Sequence, residues 1–263
     1  MRIARYVHAS SGSSSSGAAF YGVVEGDGDD AVVVRLDGAP FDGVRPTGER
    51  TPLSEVRLLA PVEPSKVVAF GRNYAEHAKE LGNELPAIPI VFLKPSTSVV
   101  GPDAEVEYPA LTSDLHYEGE LAVVIGRRCK AVSAGDVADV VFGYTVANDL
   151  TMRDVQKSEG QWTRGKGFDG ACPLGPWVET EVSPSALSLR SSVNGELRQD
   201  GTTADMLRDV GECVSWVSQA MTLLPGDVVL TGTPAGVGSL QRGDRIEVTV
   251  EGIGTLVTRI AMS

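Results

Sequence analysis

The sequence predicts a β-dominated α+β fold, and three observations carry that expectation. Short β-branched runs recur along the chain, helical periodicities are few, and no regular strand–helix–strand alternation links them. Before residue 61 the runs are Arg2–Val7, Ala18–Val24 and Ala31–Leu36. After it come Lys66–Phe70, Ile90–Leu93, Leu121–Ile125, Val140–Val146, Asp227–Thr231, Arg245–Val250 and Thr255–Ile260. Turn signals such as Pro225-Gly226, Arg242–Asp244 and Glu251-Gly252 separate most of them. Helical spacing is confined to Tyr74–Leu81, Ser133–Val137, Ala204–Val210 and Val214–Leu223, the last with Val214, Val217, Ala220 and Met221 on one face.

Two units are expected. Residues 1–60 read as a small β-rich domain, with Ser10–Gly17 as a flexible hairpin loop and the acidic Glu25–Asp30 stretch as a turn. That stretch lacks the spacing and closing glutamate of an EF-hand, so Asp27, Asp29 and Asp30 are not read as a calcium site. Pro61 to Pro64 is the linker, because two close prolines favour extended chain. Residues 61–263 form the main domain, and no internal repeat divides it.

Composition limits the partners. The chain of 263 residues carries 35 Asp+Glu against 23 Lys+Arg, a net charge of −12. A nucleic-acid surface or an anionic membrane needs the opposite balance, so neither is expected as a partner. The opening MRIARYVHASSGSSSSG has no apolar core of a secretory signal, and no apolar run is long enough to span a bilayer. Cys129, Cys172 and Cys213 are too few and too scattered for a disulfide framework or a zinc site. The expected location is the cytoplasm.

The chemistry concentrates in a few segments. In His116-Tyr-Glu118-Gly-Glu120, strand alternation puts Glu118 and Glu120 on one face, and the strand then turns apolar on both faces. Two carboxylates entering a covered strand repel and lose hydration unless something compensates them, and a divalent cation is the natural compensator; a solvated strand end is the plain alternative. Asp149 closes another apolar run, Val140–Asp149, and either converges with the glutamates or caps the turn Thr151–Gln156. Three carboxylates without a nearby thiol are hard oxygen donors, suited to Mg²⁺, Mn²⁺ or Ca²⁺ rather than zinc.

His77 and Glu80 stand at i, i+3 on the Tyr74–Leu81 helix, where a carboxylate can orient an imidazole as a general base; a surface histidine on an amphipathic turn is the plain alternative. Lys166, between Gly165 and Gly167, is placed to meet an anion or a developing oxyanion; an ordinary loop charge is the other reading. Thr231–Gly238 is glycine-rich but fits neither GxGxxG nor the Walker pattern. Its N–H groups and the Thr233 hydroxyl can hold a small carboxylate, or the loop is simply a turn. No G-x-S-x-G elbow supports a serine hydrolase.

Taken in order, GRNYAEHAKE, IVFLKPSTSVVGP, HYEGELAVVIG, GYTVANDLTMRDVQ, GQWTRGKGFDGACPLGPWV, VNGELRQDG and LLPGDVVLTGTPAGVG closely resemble the fumarylacetoacetate hydrolase family. These segments span nearly everything after Pro61. The resemblance implies a mixed β-roll, a homodimer, and Glu118, Glu120 and Asp149 as ligands of a divalent metal, Mg²⁺ or Mn²⁺. It implies a water-activating dyad of His77 and Glu80 on a helix that orders with substrate, and Lys166 beside the metal. It further implies substrate-binding roles for Arg72, Asn73, Arg153, Gln156 and Thr233. The implied substrate is a small 2-oxo carboxylate, first as an acylpyruvate or fumarylpyruvate whose C–C bond is hydrolysed. Decarboxylation of oxaloacetate-like acids and the 2-hydroxyhepta-2,4-diene-1,7-dioate isomerase reaction of aromatic-acid catabolism follow closely. A non-catalytic, metal-stabilised binding protein is the alternative of another class.

Overall fold

Most of the apolar runs assemble edge to edge into one long mixed sheet. The computed structural model describes residues 1–9 and 17–263, so most of the expected Ser10–Gly17 loop lies outside the described residues. Among them, the main sheet runs Pro46–Pro52, Val32–Leu36, Phe20–Glu25, Arg2–His8, Cys172–Glu179, Val141–Asn148, Gly119–Ile125, Val228–Leu230, Val67–Gly71 and Ile90–Lys94. Neighbours along this path are antiparallel except Val67–Gly71 with Val228–Leu230. A five-stranded sheet of Glu196–Thr202, Ser188–Val193, Arg245–Val250, Gly254–Ile260 and Ala104–Val106 stacks against it. A small sheet of Thr151–Met152, Leu115–Tyr117 and Gly238–Ser239 completes the set.

Gly119–Ile125 is the central strand, and its alternation explains why. Leu121, Val123 and Ile125 pack into a core shared with Leu189, Val248 and Leu256 of the five-stranded sheet and with Val214 and Val217 of the helix Val210–Ala220. Ala122 and Val124 face a second core with Ala69, Leu174 and Leu230, closed by Ala60 and Val62. Each large aliphatic side chain so buried contributes roughly 1.5–3 kcal/mol. A strand covered on both faces holds the polar groups at its end in a fixed, water-poor place.

Several expectations shift. Pro61–Pro64 forms neither helix nor strand, yet it is packed into the second core, with Val62 only 1% exposed. The N-terminal strands are continuous with the main sheet, through Arg2–Glu179 and Ile3–Val178 pairing. The expected helix Ala204–Val210 is absent: Thr203–Asp205 is one 3-10 turn, and the helix begins at Val210. Asp209 ends any earlier helix, because its side chain accepts from Glu212 N–H while Glu212 returns a bond to the Asp209 backbone. Strand Cys172–Glu179 and the hairpin Ser188–Val193/Glu196–Thr202 were not expected.

Candidate active site

Chain geometry brings the three acids together at one end of the central strand. Glu118 precedes Gly119–Ile125, Glu120 lies within it, and Asp149 follows the neighbouring strand Val141–Asn148. The Asp149 N–H donates to the Glu118 carbonyl at 2.8 Å, which locks the two strand ends in register. Ligand oxygens of Glu118, Glu120 and Asp149 lie within 4.8 Å of one another, and all three residues are buried. The solvated strand end is thereby excluded. Asp149 caps no helix, since Met152 precedes Arg153–Ser158 and no side chain caps that helix.

Burial of three like charges demands compensation, and the surrounding cations show how it is divided. The Lys166 ammonium donates to Glu118 Oε2 and Asp149 Oδ2, both at 2.6 Å. Arg153 donates to Glu118 Oε1 and, one helical turn on, to Gln156 Oε1 at 2.6 Å. Lys94, 0% exposed, donates to Asp149 Oδ1 at 2.5 Å and to the Lys166 carbonyl. Burial alone would raise the Glu118 carboxyl, but Lys166 and Arg153 hold it well below the usual range. Among the described residues Glu120 has no ion-pair partner of its own: its carboxylate accepts the Gly232 N–H at 2.6 Å. Burial, with Asp149 and Glu118 close by, pushes its carboxyl far up. An all-oxygen set with one under-compensated member suits a hard divalent ion.

The helix Ala75–Glu80 presents His77 to the same cavity. His77 is buried, and burial lowers its imidazole, aided by Arg153 and Lys166 against Glu118 and Glu80. It therefore stands neutral at neutral pH, ready to accept a proton. Its Nδ1 lies 3.5 Å from Glu80 Oε2, within ion-pair reach but short of a formed hydrogen bond. Glu80 is held in turn by the Gly236 N–H at 3.0 Å and 3.2 Å.

Thus the Thr231–Gly238 loop cradles carboxylates, but they are the protein's own: Gly232 holds Glu120 and Gly236 holds Glu80. Thr233 lines the cavity, yet its hydroxyl donates to the Gly119 carbonyl at 2.8 Å and accepts from Gln199 at 2.7 Å. Holding a substrate carboxylate would require that proton to be redirected. Asn73, expected as a substrate contact, is absent from the cavity wall. Its amide donates to the carbonyls of Thr231 at 2.7 Å and Arg208 at 2.9 Å, tying three segments together. Lys166 ends the short helix Thr163–Lys166 and is no ordinary loop charge.

Arg72, His77, Glu118, Glu120, Arg153 and Lys166 line one cavity of about 310 Å³. Sequence reasoning missed two supports of this site. Lys94 closes the strand Ile90–Lys94, where a lysine ending an apolar run was the available signal. Gln199 accepts the Gly119 N–H at 3.0 Å while donating to Thr233, and no local pattern marked it.

Fold and site define a class: a strand-dominated scaffold that buries an all-carboxylate cluster able to hold a metal ion. Residues 66–261 match the fumarylacetoacetate (FAA) hydrolase C-terminal family, and residues 1–61 match the Rv2993c-like N-terminal family. The chain belongs to the fumarylacetoacetate hydrolase family, whose members are enzymes and whose fold it has. It is 44% identical to oxaloacetate tautomerase YisK of Bacillus subtilis over 223 residues, 79% of this chain and 74% of that one. The solved 2-hydroxyhepta-2,4-diene-1,7-dioate isomerase of Mycobacterium marinum superposes with TM-score 0.90 at 46% identity, covering 99% of this chain and 98% of that one. The fumarylpyruvate hydrolase of Pseudomonas aeruginosa, solved with Mn²⁺ and pyruvate, superposes with TM-score 0.73 at 32% identity, covering 87% and 94%. No helix among the described residues is long and apolar enough to cross a membrane.

Proposed function

We propose that this chain is a divalent-metal-dependent enzyme that moves a proton at the carbon beside the keto group of a small 2-oxo carboxylate. The observation that carries the reading is a buried His77 lining the same cavity as Lys166 and as Glu118 and Glu120 of the carboxylate cluster. Glu118, Glu120 and Asp149 would hold Mg²⁺ or Mn²⁺, which when bound supplies Lewis-acid polarisation of the keto group. Around that centre three carboxylates face three cations, Lys94, Arg153 and Lys166, so a divalent ion leaves an excess of positive charge to receive an anion.

Lys166 gives two of its three N–H donors to Glu118 and Asp149, and the third is left for charge developing on a substrate oxygen. The first influence on Lys166 is burial, which disfavours its charge, but Asp149 and Glu118 overcome this and keep it protonated. His77 takes the proton from the carbon beside the keto group and passes it to the enolate oxygen or to a further carbon of a conjugated acid, with Glu80, 3.5 Å from its Nδ1, stabilising its charged form. The cavity encloses the reacting atoms on walls that include Phe92 and Trp162.

The tautomerase and the isomerase, at 44% and 46% identity, support proton transfer as the net reaction. C–C hydrolysis is the second reading, favoured by the His77–Glu80 pair. In it His77 deprotonates water, hydroxide adds to a distal carbonyl, and the electron pair of the broken bond is protonated to give a 2-oxo acid. The test is turnover of oxaloacetate and an acylpyruvate with Mg²⁺ or Mn²⁺. We expect keto–enol interconversion and exchange of the C3 hydrogens, both stopped by EDTA and reduced about 10²- to 10⁴-fold in His77→Ala. Pyruvate released from the acylpyruvate marks the hydrolase. If neither acid reacts and Glu120→Ala alters only thermal stability, the enzyme reading fails and a metal-stabilised binding protein replaces it.

A further inference from the structure

We infer that Gln199 is a positioning residue that turns the Thr233 hydroxyl into a hydrogen-bond acceptor. A bound 2-oxo acid then meets Thr233 with the O–H of its enol form and not with its carboxylate. The inference rests on the proposed 2-oxo acid reading and adds to it a preference for one tautomer. Gln199 lies on Glu196–Thr202 of the five-stranded sheet, yet its amide reaches the peptide between Glu118 and Glu120. The Gly119 N–H can only donate, and Gln199 Oε1 accepts it at 3.0 Å. The Pro234 carbonyl can only accept, and Gln199 Nε2 donates to it at 2.9 Å. These two partners fix which end of the amide is which. The second N–H of Nε2 therefore goes to Thr233 Oγ1 at 2.7 Å, and the Thr233 proton goes to the Gly119 carbonyl at 2.8 Å. Peptide, amide and hydroxyl close a ring of three hydrogen bonds.

A hydroxyl has one proton and two lone pairs. In this ring the proton and one lone pair of Thr233 are spent, so what it offers a ligand in the cavity it lines is a single lone pair. The ring is buried, with Gln199 0% and Thr233 3% exposed, and turning the proton away would cost the Gly119 carbonyl its bond there. Close packing holds Gln199 in place. A Cβ on Gly119 would stand 3.1 Å from Gln199 Oε1, and one on Gly236 would stand 3.0 Å from the Gln199 Cα. Carboxylate and keto oxygens only accept, so they meet the Thr233 lone pair unfavourably. Enolisation moves one proton from C3 to the C2 oxygen: the C3–H pair forms the C2–C3 double bond and the C=O pair takes the proton. That step creates the O–H that Thr233 receives.

The test is isothermal titration of the Mn²⁺-loaded protein with acids that differ at C2: L- and D-lactate, whose hydroxyl donates, against pyruvate, whose keto oxygen only accepts. Thr233→Val should weaken the better-bound lactate about 3- to 10-fold, the share of one hydrogen bond, and leave pyruvate within about twofold. Thr233→Ser, which keeps the hydroxyl, should retain the parent's ratio of lactate to pyruvate affinity. Gln199→Met frees the Thr233 hydroxyl to turn, so it should lower that ratio by a similar factor, chiefly through tighter pyruvate binding. A purely structural Gln199 would weaken both acids alike and leave the ratio unchanged, and that result overturns the positioning role. Equal weakening of both acids by Thr233→Val, a loss confined to pyruvate, or a parent that binds pyruvate but neither lactate overturns the inference while leaving the 2-oxo acid reading intact. If no acid binds the unaltered protein and oxaloacetate is not turned over, that reading falls as well.

Discussion

Lys94 shows how one residue sets the balance of the site. Its ammonium has no exposure, so it is tolerable only because Asp149 and the Lys166 carbonyl take its charge and protons. Lys94→Met leaves Asp149 with Lys166 alone. We expect a loss of about 3 kcal/mol in metal-free protein, the low end for a broken buried pair. Added Mn²⁺ should restore more stability in the variant than in the parent, because a new cation replaces the missing one. Thermal melts with and without Mn²⁺ decide this, and identical melts would contradict the assigned role. Single residues were unequally legible in the sequence. Glu118 and Glu120 betray themselves by strand spacing, whereas Lys94 ends a run that reads apolar throughout. Gln199 works from another sheet, 80 residues from the Gly119 it holds.

At the scale of elements, the loop after Val228–Leu230 holds the carboxylates of Glu120 and Glu80 at one end of the molecule. Gly232 adopts φ of +97°, and a Cβ there would stand 2.8 Å from the Asn73 Cβ. Gly232→Ala should cost about 1–3 kcal/mol through backbone strain and weaken Mn²⁺ binding about 10-fold or more, because the Gly232 N–H that donates to the Glu120 carboxylate moves. A variant with unaltered melting and Mn²⁺ affinity would show that the loop does not support the centre. Element types were readable where periodicity was long and unbroken, as in Leu121–Ile125 and Arg245–Val250. Cys172–Glu179 escaped notice because Pro173, Gly175 and Pro176 punctuate it, although it pairs with three other strands. The misplaced helix over Ala204–Val210 failed for a local reason: the reciprocal Asp209–Glu212 cap starts a new helix there.

Across the whole molecule, sheet continuity and charge act together. Segment order along the chain marked the family, but nothing local in Arg2–His8 announced that it would pair with a strand more than 170 residues away. Acid sensitivity is likewise a property of distant ties. Asp154 accepts from Ser113 N–H at 2.9 Å, the Thr112 hydroxyl and Val155 N–H at 2.9 Å, joining a loop to the helix Arg153–Ser158. Burial alone would raise its carboxyl, but these bonds together hold it at about 2. An unfolded aspartate titrates near 3.9, so the native state gains this stability in full above about pH 4 and loses it as pH falls toward 2. Asp154→Asn should melt below the parent at pH 6, and the gap should close between pH 4 and pH 2. A gap independent of pH would assign the difference to packing instead.

The central claim is that Glu118, Glu120 and Asp149 form one divalent-metal centre, and equilibrium titration with Mn²⁺, read by the electron paramagnetic resonance of the free ion, tests it most directly. The parent should bind one Mn²⁺ per chain. Glu120→Gln, which keeps shape and the Gly232 bond while removing the under-compensated charge, should bind it at least about 100-fold more weakly and retain its circular dichroism. Equal Mn²⁺ affinity in the two proteins would contradict the account.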